Sequence, residues 1–98
     1  MFIHAVLFEI KPRQQHLYRK DCRMWAVYAR KAKGFIGYYT VKRINAHGQY
    51  ASVYKWKTKA DHERFMNKFH DWLVGKSKAK VKVLGYYNLK LIDEIKHL

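Results

Sequence analysis

The chain is poor in the residues that usually carry covalent or metal chemistry. Its 98 residues hold one cysteine, one proline, five glycines and only seven acidic side chains. A lone Cys22 excludes an internal disulfide and agrees with a reducing compartment. No Cys or carboxylate cluster stands at ligand spacing, so no metal site is expected. The glycine motifs that cradle phosphates are absent. No uninterrupted apolar run approaches the roughly 20 residues of a membrane span. The N-terminus lacks a charged segment followed by an apolar core and a small-residue cleavage site. A soluble, unexported, cytoplasmic protein without a membrane partner is the expectation.

What the chain has in excess is positive charge and aromatic surface. Twenty-one basic against seven acidic residues give a formal charge of +14. Such a field draws in phosphate backbones and anionic small molecules, raising association rates without naming a partner; lysines that only keep the domain soluble explain it equally. Hydrophobic residues make up 49% and aromatics 16% of the chain, enough to exclude intrinsic disorder and to build one domain over residues 1–98.

The hydrophobic period changes along the chain. Residues 1–11 alternate, with Phe2, His4, Val6, Phe8 and Ile10 on one side and Ile3, Ala5 and Leu7 on the other, which predicts a strand ended by Pro12. Tyr18, Cys22, Trp25, Ala29 and Ala32 then mark one stripe of a helix over 13–33, with Gly34 at its C-terminal end. Residues 33–42 and 49–58, broken at Asn45-Ala46-His47-Gly48, read as an antiparallel hairpin. Ile36, Tyr38 and Ile44 are expected on one face of it, opposite Phe35, Tyr39 and Val41.

Thr58-Lys59-Ala60-Asp61 predicts the cap of a second helix, whose apolar line is Phe65, Phe69 and Trp72 and whose stop is Gly75. After the charged connection 76–80, alternation of Val81, Val83, Gly85, Tyr87, Leu89 and Leu91 predicts a last strand. Residues 93–98 form a tail of no definite structure.

The order strand, helix, strand, strand, helix, strand is that of an α+β ferredoxin-like domain, with a four-stranded antiparallel sheet and both helices on one face. Both faces of the strands are apolar, so the uncovered face calls for a partner. The economical partner is a second copy, giving a dimeric α+β barrel.

Phe8-Glu9-Ile10-Lys11-Pro12, Gly34-Phe35-Ile36-Gly37, Tyr54-Lys55-Trp56-Lys57-Thr58 and the aromatic helix from Phe65 to Trp72, in that order and spacing, resemble the antibiotic-biosynthesis-monooxygenase-type domains of the dimeric α+β-barrel superfamily. The opening Phe2-Ile3-His4-Ala5-Val6-Leu7-Phe8 also resembles the first strand of the related stress-responsive barrel proteins, where a histidine at the place of His4 is typical. The resemblance implies a pocket between helices and sheet, used by relatives for cofactor-free oxidation of aromatic polyketides or for haem degradation.

For the haem-degrading relatives it implies an Asn on strand one, a Trp ending strand three and a His on helix two. Trp56 matches the Trp, Val6 stands at the Asn position, and neither His62 nor His70 falls at the helical His. The implied reading is therefore a possible cofactor-independent monooxygenase, an oxidoreductase acting on a flat hydrophobic or anionic molecule. Trp56 and His4 are the catalytic candidates, and Val6, Trp25, Tyr54, Phe65, Phe69 and His70 line the pocket. No cofactor is required, with haem or a flavin left open.

Each candidate has a plainer reading. Trp56 at a strand end suits a core, His4 a hydrogen-bonded interior imidazole, and Cys22 mere packing. His62 and His70 read as exposed or boundary helix residues. Two other classes compete. An RNA-binding module of RRM topology, a nucleic-acid partner ranked second, fits the charge, yet His47-Gly48-Gln49-Tyr50-Ala51-Ser52-Val53-Tyr54 lacks the middle aromatic of the RNP1 pattern. A structural or regulatory dimer without ligand is the third.

Overall fold

In the computed structural model, which describes residues 1–96, the elements run β1 (Phe2–Glu9), a 3₁₀ turn (Pro12–Gln14), α1 (Gln15–Arg30), β2 (Phe35–Lys42), β3 (Gln49–Trp56), α2 (Lys59–Lys76) and β4 (Lys82–Lys90). The sheet is antiparallel throughout, ordered β2-β3-β1-β4, with each helix crossing between strands. This is the expected ferredoxin-like βαββαβ fold. Residues 91–96 carry no regular structure, and the rest of the expected tail, 97–98, lies outside the described residues.

Local chemistry explains most of the boundaries. β1 runs to Glu9, and just past it the Ile10 N–H donates to the Gly48 carbonyl at 2.8 Å, carrying the β1–β3 pairing one residue further. Pro12, with φ already set for a helical turn, then opens the 3₁₀ segment that leads into α1. Past α1, Gly34 takes φ +82°, and its carbonyl accepts from Lys57 N–H at 2.8 Å, tying the start of β2 to the end of β3. Thr58 caps α2 by accepting from the Asp61 N–H at 3.1 Å.

Gly75 does not end α2. The helix runs on to Lys76, where Ser77 turns extended and its hydroxyl donates to the Leu73 carbonyl at 2.8 Å. A hydroxyl at the last turn therefore does what the glycine was expected to do.

Two bulges correct the expected faces. In β2 the register jumps from Phe35 opposite Trp56 to Gly37 opposite Lys55, so Ile36 is the extra residue. Phe35 and Tyr38 consequently share the helix-facing side, while Ile36 is exposed. In β4 the pairing passes from Phe8 opposite Val83 to Leu7 opposite Gly85, leaving Leu84 unpaired. Val83 thus parts company with Gly85, Tyr87 and Leu89, with which simple alternation had grouped it.

The inner face, under the helices, holds Phe2, His4, Val6, Ser52, Tyr54 and Trp56, all buried. The outer face carries Ile3, Ala5, Leu7, Ala51, Val53, Tyr39, Val41, Tyr87 and Leu89, with Lys55 Nζ 5.0 Å from the Tyr39 ring centre. Among the described residues nothing covers that second face, where Tyr39, Val41, Tyr87 and Leu89 each keep close to half their surface in solvent. Among the described residues no helix is long and apolar enough to cross a membrane.

Candidate functional site

Beneath α2, the capped first turn sets His62 over β1. Its ring lies 4.4 Å from that of His4, 5.2 Å from Phe2 and 6.0 Å from Trp56, centre to centre. His62 is therefore buried, not the boundary residue that the helix pattern suggested. Burial, with the neighbouring His4 as a lesser cause, pushes its pKa down to about 4, so it is neutral at physiological pH. The buried His4 has its Nδ1 2.8 Å from Asn88 Oδ1 across the β1–β4 pair. Sequence patterning gave no sign of Asn88, since only the bulged register of β4 sets it opposite His4.

Two ring nitrogens here are buried without a partner, Trp56 Nε1 and His62 Nδ1. Most buried polar atoms are satisfied, so two neighbouring orphans mark a place where a ligand oxygen or a water would be held. An indole N–H offers a hydrogen bond to an oxyanion; a neutral imidazole can give or take one.

A groove of about 290 Å³ opens between the end of α1 and the first half of α2. Tyr28, Phe65 and Phe69 supply its aromatic lining, and Lys31, Lys33, Arg64 and Lys68 surround it together with Asp61. Arg64 donates to Asp61 at 2.8 Å and holds that carboxyl below its usual range, so one of the four cations is already paired. The Phe65 ring lies tilted against Phe69 at 5.4 Å and against Trp56 at 5.3 Å, so the groove's aromatic lining continues into the Trp56–His62 cluster.

Under α1 the polar hub is Ser52. The Tyr38 hydroxyl donates to its Oγ at 2.7 Å, the Tyr18 hydroxyl lies equally close, and Cys22 Sγ is 3.8 Å away, packed as expected. Burial raises the Tyr18, Tyr38 and Tyr54 phenols far above their ordinary value. The cleft beside them, about 90 Å³, admits little more than water, and Trp25 borders it with its indole N–H donating to Ser77 Oγ at 3.0 Å.

The eight candidates from sequence thus divide. Trp56, Phe65 and Phe69 form one continuous aromatic wall, with His4 adjoining through His62. Tyr54 and Val6 pack on the inner face between the two polar clusters. Trp25 and the exposed His70 meet edge-on at 6.0 Å, and Trp25 packs against the core cluster that holds Trp56 and Phe65. Among the described residues no group of three or more His, Cys, Asp or Glu could hold a metal ion.

The aromatics that suggested an RNP-like strand point the wrong way for RNA. Tyr50 packs on Tyr18 of α1, and Tyr54 is buried against Tyr38. The outward face of the two central strands is Ile3, Ala5, Leu7, Ala51, Val53 and Lys55, with no ring for a base to stack on.

A family model described as antibiotic biosynthesis monooxygenase matches residues 1–70. No curated protein matches the chain. The fold is similar to a mutant of MhuD with two manganese protoporphyrin IX bound per active site, at TM-score 0.78 and 12% identity over 99% of this chain and 100% of that one. SnoaB, a cofactor-independent oxygenase from Streptomyces nogalater, aligns at TM-score 0.75 and 8% identity over 98% and 97% of the two chains. Rv0793 from Mycobacterium tuberculosis aligns at 0.73 and 12% over 97% and 98%. At such identities these likenesses speak for the fold.

Proposed function

From the premise that the chain belongs to the antibiotic biosynthesis monooxygenase family, we propose that it is a homodimeric, cofactor-independent oxygenase of a flat, anionic aromatic molecule. The observation that carries this reading is the groove between α1 and α2. Its rings offer a stacking floor, its unpaired cations attract a carboxylate or phenolate, and its volume approaches the roughly 300–1,000 Å³ of small-molecule sites.

A ring methylene made acidic by conjugation to a ring carbonyl, as in an anthrone, can lose a proton to a base; in this reading the base is His4, which does not line the groove but adjoins its aromatic wall through His62 and Trp56. The resulting enolate gives one electron to O₂, and the radical pair combines to a hydroperoxide. Loss of water leaves a ketone, so that R₂CH₂ + O₂ becomes R₂C=O + H₂O without a bound cofactor. In this reading the Trp56 indole N–H holds the developing oxyanion, which its unpartnered Nε1 supports.

Haem fits the residues poorly. No imidazole or thiolate lines the groove, and His62 is closed in by Phe2, His4 and Trp56. The second copy covers the outer sheet face, whose aliphatic centre and half-exposed edge tyrosines suit a symmetric interface.

The test is oxygen uptake with a panel of anthrones bearing carboxylates. Expected is one O₂ consumed per molecule oxidised, with quenching of tryptophan fluorescence on binding. Absence of both across the panel overturns the reading.

A further inference from the structure

We propose that Asn88 is the positioning residue for His4: its side-chain oxygen accepts the Nδ1–H, fixing one imidazole tautomer and leaving Nε2 as the nitrogen that takes a proton. The inference rests on His4 being the base of the proposed reaction. It adds a residue that no reading of the sequence alone singles out.

The geometry is specific. His4 and Asn88 are cross-strand partners on the inner face, and Nδ1 stands 2.8 Å from Oδ1. With the amide oxygen turned to the ring, the bond is made by a proton on Nδ1; the opposite tautomer requires the amide to turn its NH₂ to the ring instead. A neutral imidazole has one N–H, and Nε2 is then a bare lone pair. Free histidine prefers the opposite tautomer in water, so the fold selects the form that suits a base.

The groups facing His4 agree. His62 from α2 lies 4.4 Å away ring to ring, Tyr54 from β3 at 6.3 Å and Tyr86 from β4 at 6.4 Å. None of these, nor Asn88, is a carboxylate. The charged residues lining the basin that Asn88 borders are Lys57, Lys59 and Lys90, all cations. An amide therefore orients the ring without placing a charge beside it. Tyr86 lies nearly parallel to the imidazole, 23° between planes, with the ring centres 6.4 Å apart.

Asn88 itself is exposed, so substitutions there leave the core intact. The test reads the tautomer by long-range ¹H–¹⁵N correlation of the His4 ring in ¹⁵N-labelled protein. Expected in the unaltered chain is a protonated Nδ1 and a bare Nε2. Asn88→Leu removes the acceptor and shifts the ring towards the Nε2–H form. Asn88→Asp keeps an acceptor at the same place, and the ring keeps its proton on Nδ1.

Turnover of the substrate in Asn88→Leu falls about tenfold or more in kcat with KM little changed. A proton on Nε2 in the unaltered chain, or a tautomer indifferent to Asn88→Leu, overturns the proposal. If instead the tautomer behaves as stated while no variant consumes oxygen, the oxygenase reading fails and the positioning of His4 stands.

Discussion

The imidazoles of His4 on β1 and His62 on α2 lie 4.4 Å apart, and only the first has a hydrogen-bond partner. Keeping His62 neutral is built into the packing of α2 on the sheet. Its folded pKa, about 4, lies below the 6.5 of the free group, so between those values the unfolded chain binds the extra proton. The stability this gives is whole above pH 6.5 and is lost as pH falls towards 4. Denaturant unfolding measured against pH should show it. In His62→Phe the curve is flatter, the gap to the unaltered chain changing by roughly 1–3 kcal/mol across the window. Parallel curves would contradict it.

The turn after α1 makes a second, sharper prediction. Gly34 has φ +82°, and a Cβ there would run into the Asp61 carboxylate at the start of α2. Gly34→Ala should cost about 1–3 kcal/mol from the backbone alone, and more as Asp61 is displaced. Gly75, by contrast, lies inside α2 with nothing within 4 Å of an added Cβ. Gly75→Ala should stabilise by roughly 0.5–1 kcal/mol. Thermal melts of the two variants moving in the same direction would count against this account of the two glycines.

Ser52 offers a third. Two tyrosine hydroxyls converge on its Oγ within 2.7 Å, and its loss leaves buried donors unmet. Ser52→Ala should destabilise by about 1–3 kcal/mol. Because burial raises the Tyr18, Tyr38 and Tyr54 phenols, their neutral forms stabilise the fold fully below pH 10, and that stability is lost as pH rises above it. Ultraviolet titration should find these three ionising only as the protein unfolds in alkali.

The outer face makes the fourth. Val53 lies between Ala5 and Tyr39 at the middle of that surface. Sedimentation at micromolar concentration should give twice the chain mass, and Val53→Asp should give the monomer, since a buried unpaired charge is costly at an interface. A monomeric unaltered chain refutes the dimer.

Much of this was readable in the sequence, and the failures have physical causes. The element order, the Thr58 cap and the Gly34 terminus depend on neighbouring residues only, and local chemistry decides them. The faces of β2 and β4 were misassigned because one extra residue, Ile36 or Leu84, reverses everything beyond it, and a bulge has no period of its own. His62 looked peripheral because helical spacing says where a side chain points but not what waits there. The aromatic wall of Trp56, Phe65 and Phe69 was anticipated, whereas the cationic rim and Asn88 depend on pairings between distant elements.

The most direct measurement of the central claim is oxygen labelling. Under ¹⁸O₂, with a carboxylated anthrone that quenches the tryptophans, the account predicts one labelled oxygen in the product carbonyl. It also predicts turnover reduced at least tenfold in Trp56→Phe and in His4→Ala. A product free of label, or both variants as active as the unaltered chain, would contradict it.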